Sequence, residues 1–209
     1  MIKKLIGFDL DGVLVDSLAT MKLAWEETTI QFNINSPFSN YIKEIGKPFD
    51  IIINELGLVK YLPELRTNYF NLTTKYENFA KIFPESVEAL ELLNENKFNT
   101  AIITSKPREK AVCLLKKFSI KSNILICPED CSRGKPYPDP LLLVQDNFNL
   151  RSDQCLFIGD MMSDYLSARR AGWDFMYASF GYGQINNKSD FKTCSSPAML
   201  YKYIKNEIL

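Results

Sequence analysis

The segment Leu5-Ile6-Gly7-Phe8-Asp9-Leu10-Asp11-Gly12-Val13-Leu14-Val15-Asp16-Ser17 limits the possible folds more than any other part of the chain. Its apolar run, Leu5 to Leu10, reads as a buried strand of a parallel sheet, and two carboxylates two residues apart stand where that strand ends. Gly12 then lets the chain turn. The carboxyl end of a sheet strand is where α/β proteins hold their ligands, and there Asp9 and Asp11 can share a divalent cation while one attacks and the other moves a proton. Taken alone, D-x-D-G is equally well read as a strand-end turn rich in aspartate.

A chain of 209 residues, 46% of them hydrophobic, suits one compact domain with an insertion or two small ones. Twenty-five basic side chains balance twenty-five acidic ones, and the pI is near 6.4, so no net field draws the protein to nucleic acid or to an anionic membrane. Met1-Ile2-Lys3-Lys4 runs into an apolar stretch too short for a signal-peptide core, and no apolar segment reaches the roughly twenty residues of a membrane span. A cytoplasmic protein is expected. The five cysteines (Cys113, Cys127, Cys131, Cys155, Cys194) are odd in number and lack C-x-x-C spacing, which predicts reduced packing residues. Histidine is absent altogether. Imidazole-based triads, zinc sites built on imidazole and phosphohistidine chemistry are therefore excluded, leaving carboxylate, lysine and hydroxyl chemistry.

Ser17 is placed to cap a helix in which Leu18, Met21, Trp25, Thr28 and Phe32 recur at helical spacing. Three more helices are expected: Pro37 to Ile45, stopped by Gly46; Pro48 to Leu56, stopped by Gly57; and Pro63 to about Phe79. From Phe83 the pattern alternates. Strands are predicted at Asn99 to Thr104, Asn123 to Cys127, Gln154 to Ile158 and Trp173 to Ala178. The helices between and around them open at Pro84, Pro107, Pro138 and Ser163, and a last helix covers about Pro197 to Ile208. Such a βαβ series is an α/β doubly wound parallel sheet, and the opening strand belongs in it. Residues 17–80 then form an inserted all-helical unit within a core made of 1–16 and 81–209.

In a parallel sheet the strand ends share one edge. That edge collects Asp9 and Asp11, then Thr104 and Ser105, the Gly134-Lys135-Pro136 turn, and Gly159-Asp160 with Asp164 one helical turn further on. Carboxylates gathered so closely repel unless a cation lies between them, and an all-oxygen set suits Mg²⁺. Lys135 and Thr104 then suit a phosphoryl group, the first as a compact charge and the second as a hydroxyl donor.

The motifs F-D-L-D-G-V-L-V-D-S (8–17), I-I-T-S-K-P (102–107), G-K-P-Y-P-D-P (134–140) and I-G-D-M-M-S-D (158–164), followed by A-R-R-A-G (168–172), resemble the four ordered motifs of the haloacid dehalogenase superfamily. The resemblance spans the whole chain and is nearest to the phosphatases with a small helical cap, those of the phosphoglycolate phosphatase type. It implies Asp9 as nucleophile, forming an aspartyl-phosphate, and Asp11 as the acid and base that serves the leaving alcohol and then water. It further implies Thr104 and Lys135 as phosphoryl ligands, with Gly12 and Ser105 beside the substrate. Mg²⁺ would be held by Asp9, the backbone carbonyl of Asp11 and Asp160, while Asp164 supports the metal through water or holds Lys135. Dehalogenases of the superfamily, and the branch that cleaves carbon–phosphorus bonds, lack the second carboxylate, so Asp11 favours phosphate ester hydrolysis. Ser105 departs from the asparagine common after the threonine.

In such enzymes the cap closes over the site and selects the leaving group. Lys47 and Arg66 are its candidate cations, Lys47 for a second anionic group of the substrate, and Phe180-Gly181-Tyr182-Gly183 reads as a rim loop. The expected substrate is a small soluble phosphate ester of the phosphoglycolate or sugar phosphate type. A sugar phosphomutase or pyrophosphatase of the same fold, or a phosphate-binding protein without turnover, are the other readings, and the oligomeric state stays open.

Overall fold

The computed structural model describes residues 2–185 and 190–209. Its centre is a six-stranded sheet, all parallel, in which the opening strand β1 (Leu5–Phe8) lies between β4 (Asn99–Ile103) and β6 (Cys155–Gly159). β5 (Ile124–Ile126) extends the sheet beyond β4, and β7 (Asp174–Ala178) and β8 (Lys192–Cys194) extend it beyond β6. Every residue of β1 and β6 is buried, the reason both read as apolar runs rather than as alternating strands. From β1 the chain builds outward to β4 and β5, then returns to β1's other side with β6. Such a reversal opens a crevice at the carboxyl ends of the strands around β1.

Helices α5 (Pro84–Glu95), α6 (Arg108–Lys117), α7 (Asp139–Asn147), α8 (Met162–Ala171) and α9 (Pro197–Tyr203) flank the sheet. One apolar layer joins Leu90, Leu93, Leu114 and Leu200 to Ile6, Phe8 and Ile102; the other joins Leu141, Val144 and Ala168 to Leu5, Ile103 and Phe157. This is the expected doubly wound parallel sheet.

The helical insertion comprises α1 (Leu18–Gln31), α2 (Phe38–Tyr41), α3 (Phe49–Glu55) and α4 (Leu62–Lys75). Met21, Ala24 and Trp25 of α1 bury against Leu65, Tyr69 and Leu72 of α4 and against Phe49, Ile52 and Ile53 of α3. Trp25 Nε1 donates to the Ser36 carbonyl at 2.8 Å, so its polar end is satisfied inside this second core. The helix expected over 37–45 is only one α turn followed by a 3₁₀ turn (Ile42–Glu44), and α4 gives way to another 3₁₀ turn (Glu77–Phe79). Tight turns of this kind commonly finish short helices, and sequence periodicity does not separate them from α turns.

Two strand features were not expected. Val15–Asp16 (β2) and Lys81–Ile82 (β3) pair antiparallel where the chain leaves the core and where it returns. β8 is a three-residue edge strand with two of its residues exposed, too short for a period to register. Cysteines Cys127, Cys155 and Cys194 pack in the interior as expected, but Cys113 is exposed. No helix among the described residues is long and apolar enough to cross a membrane.

Candidate active site

Asp9 leaves the sheet directly after β1, Thr104 directly after β4 and Asp160 directly after β6, so three neighbouring strands deliver three side chains to one edge of the sheet, where Asp9 and Asp160 meet. Asp164 rises to the same point from the first turn of α8. One carboxylate oxygen from each of Asp9, Asp160 and Asp164 lies within 4.8 Å of the others, and all three residues are buried. Lys135 closes the group: Nζ is 3.0 Å from Asp9 Oδ1, 2.6 Å from Asp164 Oδ1 and 3.3 Å from the Ile103 carbonyl. It is 2% exposed, so this lysine is no solvated loop residue.

Backbone N–H groups hold one oxygen of each carboxylate. Asp9 Oδ1 accepts from Leu10 N–H (2.8 Å), and Asp164 Oδ2 accepts from Asp160 N–H (3.1 Å) and Met161 N–H (2.9 Å). Asp160 Oδ2 accepts from Tyr182 N–H at 2.7 Å, whereas Asp160 Oδ1 is buried without a hydrogen-bond partner among the described residues. Two glycines let main chain close on this aspartate. A Cβ on Gly12, whose φ is +83°, would stand 2.3 Å from Asp160 Oδ2, and one on Gly181 would stand 2.5 Å from it. Gly12 N–H bonds the Val15 carbonyl at 2.8 Å, so this residue contributes close approach to Asp160 rather than a free donor toward a substrate.

Burial pushes the Asp9 carboxyl up to about 7; Lys135 pulls against this, while the charges on Asp164 and Asp11 add to it. Asp160 is raised well above the usual carboxylate range by burial and then by Asp164 and Asp9. Burial opposes the charge on Lys135, but Asp164 and Asp9 outweigh it and hold the ammonium above its ordinary value. With all three ionised, the buried carboxylates facing one ammonium would carry two uncompensated negative charges, which one divalent cation offsets. Together with the unpartnered Asp160 Oδ1, this hard all-oxygen set fits a divalent cation.

Asp11 stands apart from the three carboxylates. Its Oδ2 is paired with Lys106 Nζ at 3.1 Å and its Oδ1 accepts a hydrogen bond from Ser17 Oγ. Ser17 was expected to cap α1, and although it occupies that position its hydroxyl makes no cap bond. A carboxylate is the stronger acceptor and wins the proton. Thr104 is buried and its Oγ1 accepts from Lys106 N–H at 3.1 Å. Ser105 Oγ donates to the Gly46 carbonyl at 2.7 Å, as does Ser163 Oγ at 3.2 Å, so both hydroxyls hold the insertion against the core. Lys47 Nζ rests on Glu44 Oε2 at 2.5 Å at the cavity rim, while Arg66 pairs with Asp50 outside that cavity.

The cavity above Asp9 and Asp11 holds about 70 Å³ of space. Tyr41, Phe49, Tyr69 and Phe70 of the insertion form much of its ceiling, and the Tyr41 hydroxyl donates to that of Tyr69 at 2.9 Å. Residues 6–178 match the haloacid dehalogenase-like hydrolase family. The chain belongs to that family. As a haloacid dehalogenase-like hydrolase it bears out the resemblance read in the four motifs.

A phosphoglycolate phosphatase of Mannheimia succiniciproducens is 31% identical over 194 residues, which cover 86% of this chain and 87% of the relative. A pyrophosphatase PpaX of Oceanobacillus iheyensis is 26% identical over 168 residues, covering 79% and 78%. The crystal structure of a hydrolase from Pseudomonas syringae superposes with a TM-score of 0.87 at 25% identity, over 99% of this chain and 100% of the other. Two residues of this hydrolase's site were not singled out from sequence. Lys106 carried a signal, as the one cation in the motif that supplies Thr104; Ser17 did not, because capping explained it fully.

Proposed function

We propose that the protein is a Mg²⁺-dependent phosphatase that hydrolyses a small phosphorylated metabolite of the phosphoglycolate or sugar phosphate type through an aspartyl-phosphate. The observation that carries this reading is the buried group of Asp9, Asp160, Asp164 and Lys135 at the head of β1. Residues 17–80 act as the cap, over a core of 1–16 and 81–209.

Asp9, Asp160 and the carbonyl of Asp11 would hold Mg²⁺, which when bound supplies charge neutralisation for the phosphoryl oxygens. Lys135 adds a fixed positive charge beside Asp9, and Thr104 a hydroxyl for a phosphoryl oxygen. Asp164 fixes Lys135, with which it is paired at 2.6 Å. Asp9 Oδ attacks phosphorus, the P–O bond to the leaving alcohol breaks, and Asp11 gives that alcohol its proton. Asp11 then takes a proton from water as the water attacks the phosphorus of the aspartyl-phosphate, which returns Asp9 to carboxylate and frees inorganic phosphate. The cavity of about 70 Å³ suits a leaving group of a few heavy atoms. Lys47, Lys106 and Lys110 line it, and a second anionic group on the substrate would draw Lys47 away from Glu44.

Phosphate release from p-nitrophenyl phosphate tests the reading. Turnover with Mg²⁺ that is abolished by EDTA and reduced at least about a thousandfold in Asp9→Asn supports it. Equal rates in wild type and Asp9→Asn would remove Asp9 from the chemistry. The similarity to a PpaX pyrophosphatase supports a second reading, pyrophosphate as substrate, which comparison of kcat/KM for pyrophosphate and for monoesters decides.

A further inference from the structure

The loop of Gly181, Tyr182 and Gly183 follows β7 and lies flat on Asp160. A Cβ on Gly181 would meet Asp160 Cβ at 2.4 Å, and one on Gly183 would meet the Asp160 carbonyl oxygen at 2.3 Å, so main chain itself is pressed against the aspartate. Between them Tyr182 N–H donates to Asp160 Oδ2 at 2.7 Å. The phenol reaches to the other side of the site. Its oxygen accepts from Ser17 N–H at 2.7 Å and stands 3.2 Å from both the Val15 carbonyl and Asp16 Oδ1, either of which can take its proton.

Those partners lie where the chain leaves the core for the helices, and β2 there is paired with β3, where it comes back. Ser17 N–H precedes the first turn of α1, whose leading N–H groups have no partner within the helix, and the phenol meets this need. Held by its N–H, Ser17 points Oγ at Asp11. A continuous path therefore runs from Asp160 through Tyr182 and Ser17 to Asp11. The β2 turn does not itself require the tyrosine, since Val15 O already accepts from Gly12 N–H at 2.8 Å.

We propose that Tyr182 is a positioning residue that fixes Ser17, and through it Asp11, relative to Asp160, so that the proton-transferring carboxylate is in register only while the root of the helical insertion is seated. This rests on the reading of Asp11 as the acid for the leaving alcohol. Tyr182 touches no reacting atom; it acts through the serine.

Leaving groups of different basicity test this, because an aryl phosphate departs without a proton and an alkyl phosphate does not. Tyr182→Phe keeps the ring and the N–H bond to Asp160 but removes the phenol oxygen. The ratio of kcat for propyl phosphate to kcat for p-nitrophenyl phosphate should fall about tenfold, with KM steady. Mg²⁺ affinity by calorimetry should stay within about twofold, since the N–H on Asp160 remains. Ser17→Ala should show the same ratio change, and the double variant should be no worse than the larger single one, as expected for residues on one path. Equal losses for both esters, no loss, or additive losses in the double variant would overturn the proposal. Asp11→Asn is the reference. If it loses propyl phosphate hydrolysis while Tyr182→Phe does not, only the positioning role falls; if it keeps that activity, the reading of Asp11 falls and the proposal with it.

Discussion

Lys135 shows how one side chain carries both stability and chemistry. Its ammonium is the sole cation in direct contact with Asp9 and Asp164 among the described ion pairs, and removing it leaves those carboxylates buried beside Asp160 without compensation. Breaking a buried pair in this way typically costs about 3–5 kcal/mol. Lys135→Ala should therefore lower the unfolding free energy of the metal-free protein by about 3 kcal/mol, read from urea denaturation in EDTA at pH 7.5, besides abolishing turnover. An unfolding midpoint equal to that of wild type would mean that the carboxylates are neutral without the lysine. Asp11 shows the converse, a carboxylate kept away from the metal-facing group by Ser17 and Lys106.

At the scale of elements, the turn before α3 is one of the contacts that join insertion to core. Gly46 has φ +92°, its carbonyl receives both Ser105 Oγ and Ser163 Oγ, and a Cβ there would stand 2.5 Å from Ser163 Oγ and 2.9 Å from Met161 Cβ. Glycine is thus required twice, for its backbone conformation and for the close approach. Gly46→Ala should push this turn off the core beside Met161, which itself belongs to the apolar cluster of the insertion. KM for the substrate should rise about tenfold or more, with faster cleavage of the 17–80 segment in limited proteolysis. Unchanged KM and cleavage would show that the turn does not hold the insertion in place.

Across the whole molecule, the buried acidic group links folding to pH and to metal. The folded-state pKa of Asp9 is raised to about 7 and that of Asp160 lies well above the usual range, burial being the leading cause of both, whereas an unfolded aspartate titrates near about 4. Raised folded-state values mean that the native metal-free protein holds protons the unfolded chain gives up. The stability that Asp9 contributes is complete below pH about 4 and is lost as pH rises through about 7, and the raised value of Asp160 acts in the same direction. A bound divalent cation needs the same groups ionised and stabilises the ionised native state, so binding releases protons. The rise in Tm produced by saturating Mg²⁺ should accordingly be larger at pH 8 than at pH 5.5, measured by calorimetric melting with EDTA as reference. A larger rise at pH 5.5 would contradict the assignment of these carboxylates to the metal.

The sequence by itself determined five of the six strands of the sheet, the helical insertion and the acidic and lysine side chains gathered at the strand ends. Each rests on a local signal: apolar runs for strands buried on both faces, helical spacing around Trp25, and carboxylates placed where runs stop. Tertiary structure alone decided how the side chains are shared. Ser17 has the local signature of a cap but serves Asp11, Ser105 grips the carbonyl of Gly46, and Tyr182 bonds Ser17, 165 positions away. A hydroxyl takes its strongest acceptor within reach, and what lies within reach is set by strand order and by loop closure, neither of which leaves a periodic trace along the chain.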